Sequence, residues 1–315
     1  MRPSLRAAVI APSLVTTVTL ATALTLVAAL SLVAALPARA GYHGFDRPGN
    51  PVECPQGRVP HGAAPKRIVA QRAMDPIRVD GKLDEAVWRD APASCGFLCW
   101  DPDRGRLPSE QTVFKVAYDE QAVYFGVACH ENDPGNIASA LSRRDQLRDS
   151  DQVSIYIDPY LDRTTGYNFR VNPDGVQQDG YLYDDGNRDD DWNAVWEAET
   201  HRDEHGWYTE VRIPFSSIRY RPAESMTWGL QIYRFMQRRG EDTSWVVWDK
   251  ETSGFVSRFG EVTGIEGVRS PRQLEVVPYF VQRTTDPSLE GAEDRFSNVQ
   301  NFGADLKYGL TPDLT

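Results

Sequence analysis

The chain has 315 residues and a formal charge of −11. The length suits one large domain or two ordinary ones. The acidic balance excludes a phosphate-neutralising surface, so nucleic acid is not an expected partner.

Residues 1–40 differ from the rest. Arg2 and Arg6 begin a stretch that then carries no charge from Ala7 to Ala38, and Ala38-Arg39-Ala40 fits a small-x-small cleavage site. This predicts a secretory signal peptide over 1–40, with an uncleaved membrane anchor as the alternative. Export would place Cys54, Cys95, Cys99 and Cys129 in an oxidising compartment. Four cysteines allow three pairings, and a Cys95–Cys99 bridge requires the chain to bend at Gly96. Residues 41–66 carry Gly, Pro and His with little apolar content, the composition of an extension or linker.

The folded part is expected over 67–268. Asp80-Gly81 reads as a turn, and Leu83, Val87 and Trp88 share one face of a short predicted helix. Strands follow at short intervals. Phe114, Val116 and Tyr118 alternate; residues 123–129 form a nearly continuous apolar run. In 151–175, Val153, Ile155 and Ile157 alternate with Ser154, Tyr156 and Asp158, and Tyr167, Phe169 and Val171 alternate with Asn168, Arg170 and Asn172. That is the period of two half-buried strands. Their polar face offers Arg170 and Asn172, a cation and an amide with several donors and one acceptor, suited to a polyhydroxyl ligand or to ordinary strand pairing. Further strands are expected at 176–183, 192–200, 207–213, 228–237, 245–248 and 259–262. Many short strands and no long helix predict an all-β, antiparallel sandwich.

Other motifs are weighed on the same terms. Residues 184–191 are strongly acidic, read either as a solvated loop or as an oxygen-rich calcium loop. Trp192 and Trp196 would share a face of a strand, either as a sugar platform or as core. His201-Arg202-Asp203-Glu204-His205 matches H-x-x-E-H, but the flanking strand patterns and Gly206 put it in a hairpin, where both His cannot reach one metal as they would from a helix. No nucleophile elbow or phosphate-binding Gly loop is present, and a glycosidase would need two facing carboxylates.

Beyond Gly267, Phe302, Ala304, Leu306, Tyr308 and Leu310 alternate strictly with polar or small residues, before a turn at Thr311-Pro312-Asp313. One apolar and one polar face is what a membrane barrel strand needs. Residues 269–315 are therefore expected to be the first strands of an outer-membrane β-barrel whose remainder lies beyond Thr315.

The runs IRVDGKLDEAVW (77–88), VAYDEQAVYFGVACHENDP (116–134), DQVSIYID (151–158), FRVN (169–172) and GWYTEVRIPF (206–215) together resemble carbohydrate-binding module family nine, in its order and spacing. The stretch 254–280 is similar to a narrower group in which this module precedes an outer-membrane barrel of Gram-negative bacteria. The resemblance implies a jelly-roll-like sandwich and an exported, non-catalytic module that binds carbohydrate at the outer membrane or in the periplasm. It further implies attachment to its own barrel and a link to carbohydrate catabolism. A structural plug without sugar binding, and a glycan-degrading hydrolase by family association, are the alternatives. Carried over by position, Arg170 and Asn172 of the FRVN strand would hydrogen-bond the sugar. Arg148 stands where a stacking Trp is expected, Ser154 where an acid is expected, and Phe255 is the aromatic nearest the second stacking position; Trp196 is the other candidate stacking face. Structural calcium is implied for this family, with Asp149, Asp151 and Asp158 as candidate ligands.

Overall fold

The computed structural model describes residues 65–268, 274–285 and 297–308 of the protein. The expected leader (1–40), all but the end of the 41–66 extension, and residues 309–315 lie outside the described residues. In chain order the elements begin with β1 (Arg67–Val69), β2 (Gln71–Arg72), the helix α1 (Ala86–Asp90), β3 (Ala93–Ser94) and β4 (Leu98–Asp101). They continue through β5 (Thr112–Tyr118), β6 (Ala122–His130), β7 (Gln152–Asp158), β8 (Gly166–Val171), β9 (Gln177–Tyr183) and β10 (Asn187–Asp189). Next come β11 (Glu197–Asp203), β12 (Gly206–Pro214), β13 (Ser225–Met236), β14 (Glu241–Ser244) and β15 (Gly260–Glu266), then β16 (Leu274–Thr285) and β17 (Ser297–Tyr308).

These strands form three sheets. The first runs β1-β15-β13-β7-β8-β9-β10, with β14 added to β13 and β4 to β14. The second runs β11-β12-β6-β5-β2, with β3 on β5. The two-residue period explains how they layer. Val153, Ile155 and Ile157 of β7, Phe169 and Val171 of β8, and Leu230 and Ile232 of β13 meet Phe114, Val116, Phe125, Val127 and Val211 of the second sheet in one core. Alternate side chains point to opposite faces of a strand, so the outward face of the first sheet carries the remaining set. The all-β sandwich expectation holds. It is not wholly antiparallel: β1 lies parallel to β15 and β2 parallel to β5.

The β16–β17 pair is a two-stranded antiparallel hairpin in register from Leu274–Tyr308 to Thr285–Ser297. Val276, Phe280, Val281, Val299 and Phe302 on it are exposed.

The expected helix begins three residues later than its apolar spacing suggests. Leu83 has a φ of +56° and belongs to the preceding turn, yet it is buried beside Val87 and Trp88 as predicted. The turn is held by Glu210 of β12. Its carboxylate accepts from the Asp80 and Gly81 amides at 2.8 Å each and from Trp88 Nε1 at 2.7 Å. Gly81 is required here: its φ is +80°, and a Cβ would stand 2.6 Å from the Thr200 carbonyl carbon. A second buried polar cluster joins the sheets, where Arg234 pairs with Glu131, which also pairs with Arg238. Arg234 sits on the inward phase of β13 and is fully buried.

Cys95 is disulfide-bonded, while Cys99 and Cys129 are free and buried. The Cys95–Cys99 bridge left open by the sequence is therefore not formed. Burial pushes the Cys129 thiol up to about 12.

Candidate functional site

The outward face of the first sheet is assembled by register. Tyr233 opposes Ser154, Phe235 opposes Gln152, and Ser154 opposes Arg170. Gln178 flanks Arg170 on the other side, and Asp242 of β14 opposes Phe235. Gln152, Ser154, Arg170, Tyr233, Phe235 and Asp242, with Trp100, Tyr156 and Phe255, line a cleft of about 520 Å³. That volume lies within the range of small-molecule sites.

The cleft has a continuous aromatic wall. Ring centroids lie 5.8 Å apart from Trp100 to Tyr233, 5.7 Å from Tyr233 to Tyr156 and 5.1 Å from Tyr156 to Phe255. Phe255 to Trp248 is 6.0 Å and Trp248 to Trp100 is 4.5 Å, which closes the ring. Most of these contacts are edge-to-face, the arrangement aromatic quadrupoles prefer. Behind the wall, Tyr156 packs with Leu182, Val256 and Phe259 in a small cluster separate from the sandwich core. Arg104 covers the Trp100 ring at 3.4 Å and donates to the Trp248 carbonyl at 3.0 Å. Phe255 is positioned from the acidic loop. Asp185 Oδ1 accepts from the Phe255 and Ser257 amides at 3.0 and 2.7 Å, and its Oδ2 accepts from Ser257 Oγ at 2.7 Å.

Arg170 is half-buried in the cleft floor. Its Nε donates to Asn168 Oδ1 at 2.8 Å, and its Nη2 lies 3.4 Å from the Tyr156 hydroxyl. A guanidinium has five N–H donors, so Nη1 and part of Nη2 remain for a ligand. Arg170 makes no ion pair among the described residues. Arg188 of β10 pairs with Asp190, and burial followed by the neighbouring Arg170 charge lowers its pKa. Burial, and then Asp101, raise the Asp242 carboxyl, with Arg170 opposing. Burial and the neighbouring Tyr156 raise the Tyr233 phenol.

An aromatic-walled cleft with a donor-rich floor on one sheet of a sandwich is the setting in which the comparisons with known proteins fall. A family model described as "Carbohydrate family 9 binding domain-like" matches residues 79–265, more than half the chain. The chain belongs to that family. Solved structures are similar in part. A carbohydrate binding module family 9 protein from Caldicellulosiruptor kristjanssonii, solved with cellotriose, is 19% identical, covering 64% of this chain and 95% of that one with a TM-score of 0.48. The same organism's module solved with glucose is 19% identical over 65% of this chain and all of that one, at 0.48. A Bacteroides uniformis protein named as a candidate carbohydrate-binding protein is 13% identical over 64% and 100%, at 0.50. No curated protein matches the chain by sequence.

Within this family 9 domain, the structure brings two of the five expected site residues together, Arg170 and Phe255. Asn172 is fully buried. Its amide donates to the Ala140 carbonyl at 3.0 Å and to Ser150 Oγ at 3.3 Å, and its oxygen accepts from the Asp174 and Val176 amides. The amide is consumed by the loop that covers it. Trp196 precedes β11 rather than lying within a strand, and packs on Phe169 at 5.2 Å in the sandwich core. Trp192 packs on Tyr167 at 4.9 Å, so the two tryptophans form no exposed platform. Arg148 is exposed and does not line the cleft.

The proposed calcium ligands do not converge. Asp151 and Asp158 flank opposite ends of β7, roughly 20 Å apart at about 3.3 Å per residue. Asp158 accepts from the Arg163 amide at 2.9 Å, and burial raises its carboxyl to about 6. Among the described residues no group of three or more His, Cys, Asp or Glu is placed to hold a metal ion. The H-x-x-E-H run spans the β11–β12 hairpin, without the helix its chemistry needs.

Trp100, Tyr233, Phe235 and Asp242 escaped the sequence reading. The phase of β13 could have flagged Tyr233 and Phe235, which alternate with Leu230 and Ile232 of the core. Trp100 is brought in by β14–β4 pairing across more than 140 residues, which no local pattern encodes.

Proposed function

We propose that the protein is a non-catalytic carbohydrate-binding module whose ligand occupies the cleft over Arg170. The observation that carries this reading is a half-buried guanidinium with unused donors in a cleft lined also by Trp100, Tyr156, Tyr233, Phe235 and Phe255. Sugars are bound by stacking their apolar faces on aromatics while their hydroxyls take hydrogen bonds. Phe255 supplies a stacking face, Arg170 donates, and Gln152 and Asp242 accept. Arg170 lines an open cleft beside aromatics, which favours binding over a purely structural role for this face. Membership in a binding-domain family fits a module without its own catalysis. The reading extends to export, by the leader-like residues 1–40, and to a junction with an outer-membrane barrel. The exposed apolar residues of the β16–β17 hairpin support that junction.

The test is calorimetric titration of the protein with a panel of soluble oligosaccharides, alongside Arg170→Ala and Phe255→Ala. Binding that is lost in the first variant and weakened in the second supports the module. No heat with any sugar, from protein shown to be folded, overturns it.

A further inference from the structure

The charges around the cleft narrow the ligand further. Arg170 is flanked in register by two neutral side chains, Ser154 on β7 and Gln178 on β9. Nothing on either neighbouring strand neutralises it. Arg188, whose charge is disfavoured first by burial and then by Arg170, has Asp190 as its partner, whereas Arg170 makes no ion pair among the described residues and feels only the more distant Asp242 carboxyl. The one acid lining the cleft is Asp242. It stands on β14, three strand spacings from β8 in the order β14-β13-β7-β8. At about 4.8 Å per spacing, this separates the two backbones by roughly 14 Å. The cleft therefore carries its cation on β8 and its carboxyl on β14, unpaired but near enough for the Arg170 charge to oppose the rise of the Asp242 carboxyl.

The hydrogen bonds of Arg170 set its orientation. With Nε turned to Asn168, the Nη1–Nη2 end of the guanidinium is the open fork. That planar pair of donors matches a carboxylate bidentately, and a hydroxyl cannot use both of its arms equally. A half-buried cation that makes no ion pair also gains more from an anionic partner than an exposed one would, since the effective dielectric is lower.

We infer that the cleft selects a glycan bearing a carboxylate, a uronic acid unit whose carboxylate sits on the Arg170 fork while its ring lies against Phe255. This rests on the carbohydrate-binding reading and assigns its ligand class. Asp242, at the far end, accepts from hydroxyls of the adjoining sugar.

The experiment pairs ligands that differ only at C6. Glucuronate and galacturonate, as monosaccharides and short oligomers, are titrated into the protein against their neutral glucose and galactose counterparts at low and high salt. The acidic member of each pair is expected to bind at least about tenfold more tightly, the order by which a charge-assisted pair exceeds a neutral hydrogen bond. Its advantage should shrink as salt rises. Arg170→Lys should retain part of the preference and Arg170→Gln should abolish it, with unfolding midpoints showing that both variants are folded. Equal or tighter binding of the neutral sugars overturns the acidic assignment and leaves the carbohydrate module standing. No binding of either class overturns both.

Discussion

Replacing Asn172 by alanine should destabilise the protein without the substitution touching the ligand, whereas replacing Arg170, two residues earlier on the same strand phase, should weaken binding at little cost in stability. Asn172 makes four side-chain hydrogen bonds and is fully buried. Truncation strands at least the Val176 amide and the Ala140 carbonyl. A buried group left unsatisfied costs about 1–3 kcal/mol, so two cost roughly 2–6 kcal/mol. In a domain of about 200 residues each kcal/mol moves the midpoint by about 2–4 °C, which predicts a fall of roughly 4–24 °C. Arg170 is half-exposed and makes two side-chain bonds, so its removal should cost no more than about 1 kcal/mol. Thermal unfolding without ligand, followed by sugar titration, separates the two. An Asn172→Ala protein with an unchanged midpoint and no sugar binding would refute the assignment of that amide to the loop.

Three further outcomes follow from the geometry. Asp185→Ala removes the carboxylate that holds the Phe255 loop and should weaken sugar binding by up to about tenfold, at a cost near 1 kcal/mol, as for a lost helix cap; unchanged affinity would mean that Phe255 needs no such support. Burial works against the Asp185 charge, but hydrogen bonds from Ser257 and Phe255 prevail and hold its carboxyl below the usual 3.8. Its contribution is thus present above that value and lost as pH falls through the depressed one. Glu210 behaves oppositely: burial raises it from 4.5 to about 7, so its contribution is complete below pH 4.5 and is lost as pH rises through 7. At about 1.4 kcal/mol per unit this is on the order of 3 kcal/mol, and Glu210→Gln should flatten that slope in urea titrations between about pH 5 and 8. Arg234→Met leaves Glu131 buried with Arg238 alone and should destabilise by about 3–5 kcal/mol, read from the denaturation midpoint.

Much of the sandwich was legible because its strands obey a strict period of two. Val153, Ile155 and Ile157 reported their inward face directly, and Phe169 and Val171 did the same for β8. The reading failed where a polar residue is buried for a local reason. Asn172 carries the pattern of an exposed strand residue, and only the four partners supplied by residues 140, 150, 174 and 176 reveal it as core. Arg234 is a cation on an inward phase, rescued by Glu131 at the exit of β6, distant in sequence. Trp196 looked like half of an aromatic platform because a strand was expected from 192. β11 begins only at Glu197, so the period-two argument did not apply to it. The aromatic wall was illegible for a further reason: its members come from β4, β7, β13 and the β14–β15 connection, and only sheet pairing makes them neighbours.

Asn168, Arg170 and Asn172 share one phase of β8 and its exit, yet only the middle residue is offered to a ligand. Cover, not chemistry, separates them. At the Asn172 end, the loop carrying Ala140 and Ser150 closes over the sheet and converts a polar side chain into a bracket for the chain. At Asn168, the side chain is fully buried; its nitrogen lies 3.3 Å from the Ile155 carbonyl, while its oxygen takes Arg170 Nε. Arg170 lies between these two anchors with its Nε held and with Nη1 and part of Nη2 free. An arginine orientated in this way loses less side-chain entropy on binding than a freely rotating one would, so more of each hydrogen bond appears as affinity. The two buried asparagines thus serve the site without touching a ligand: one orients the guanidinium, and the other holds down the loop beside it.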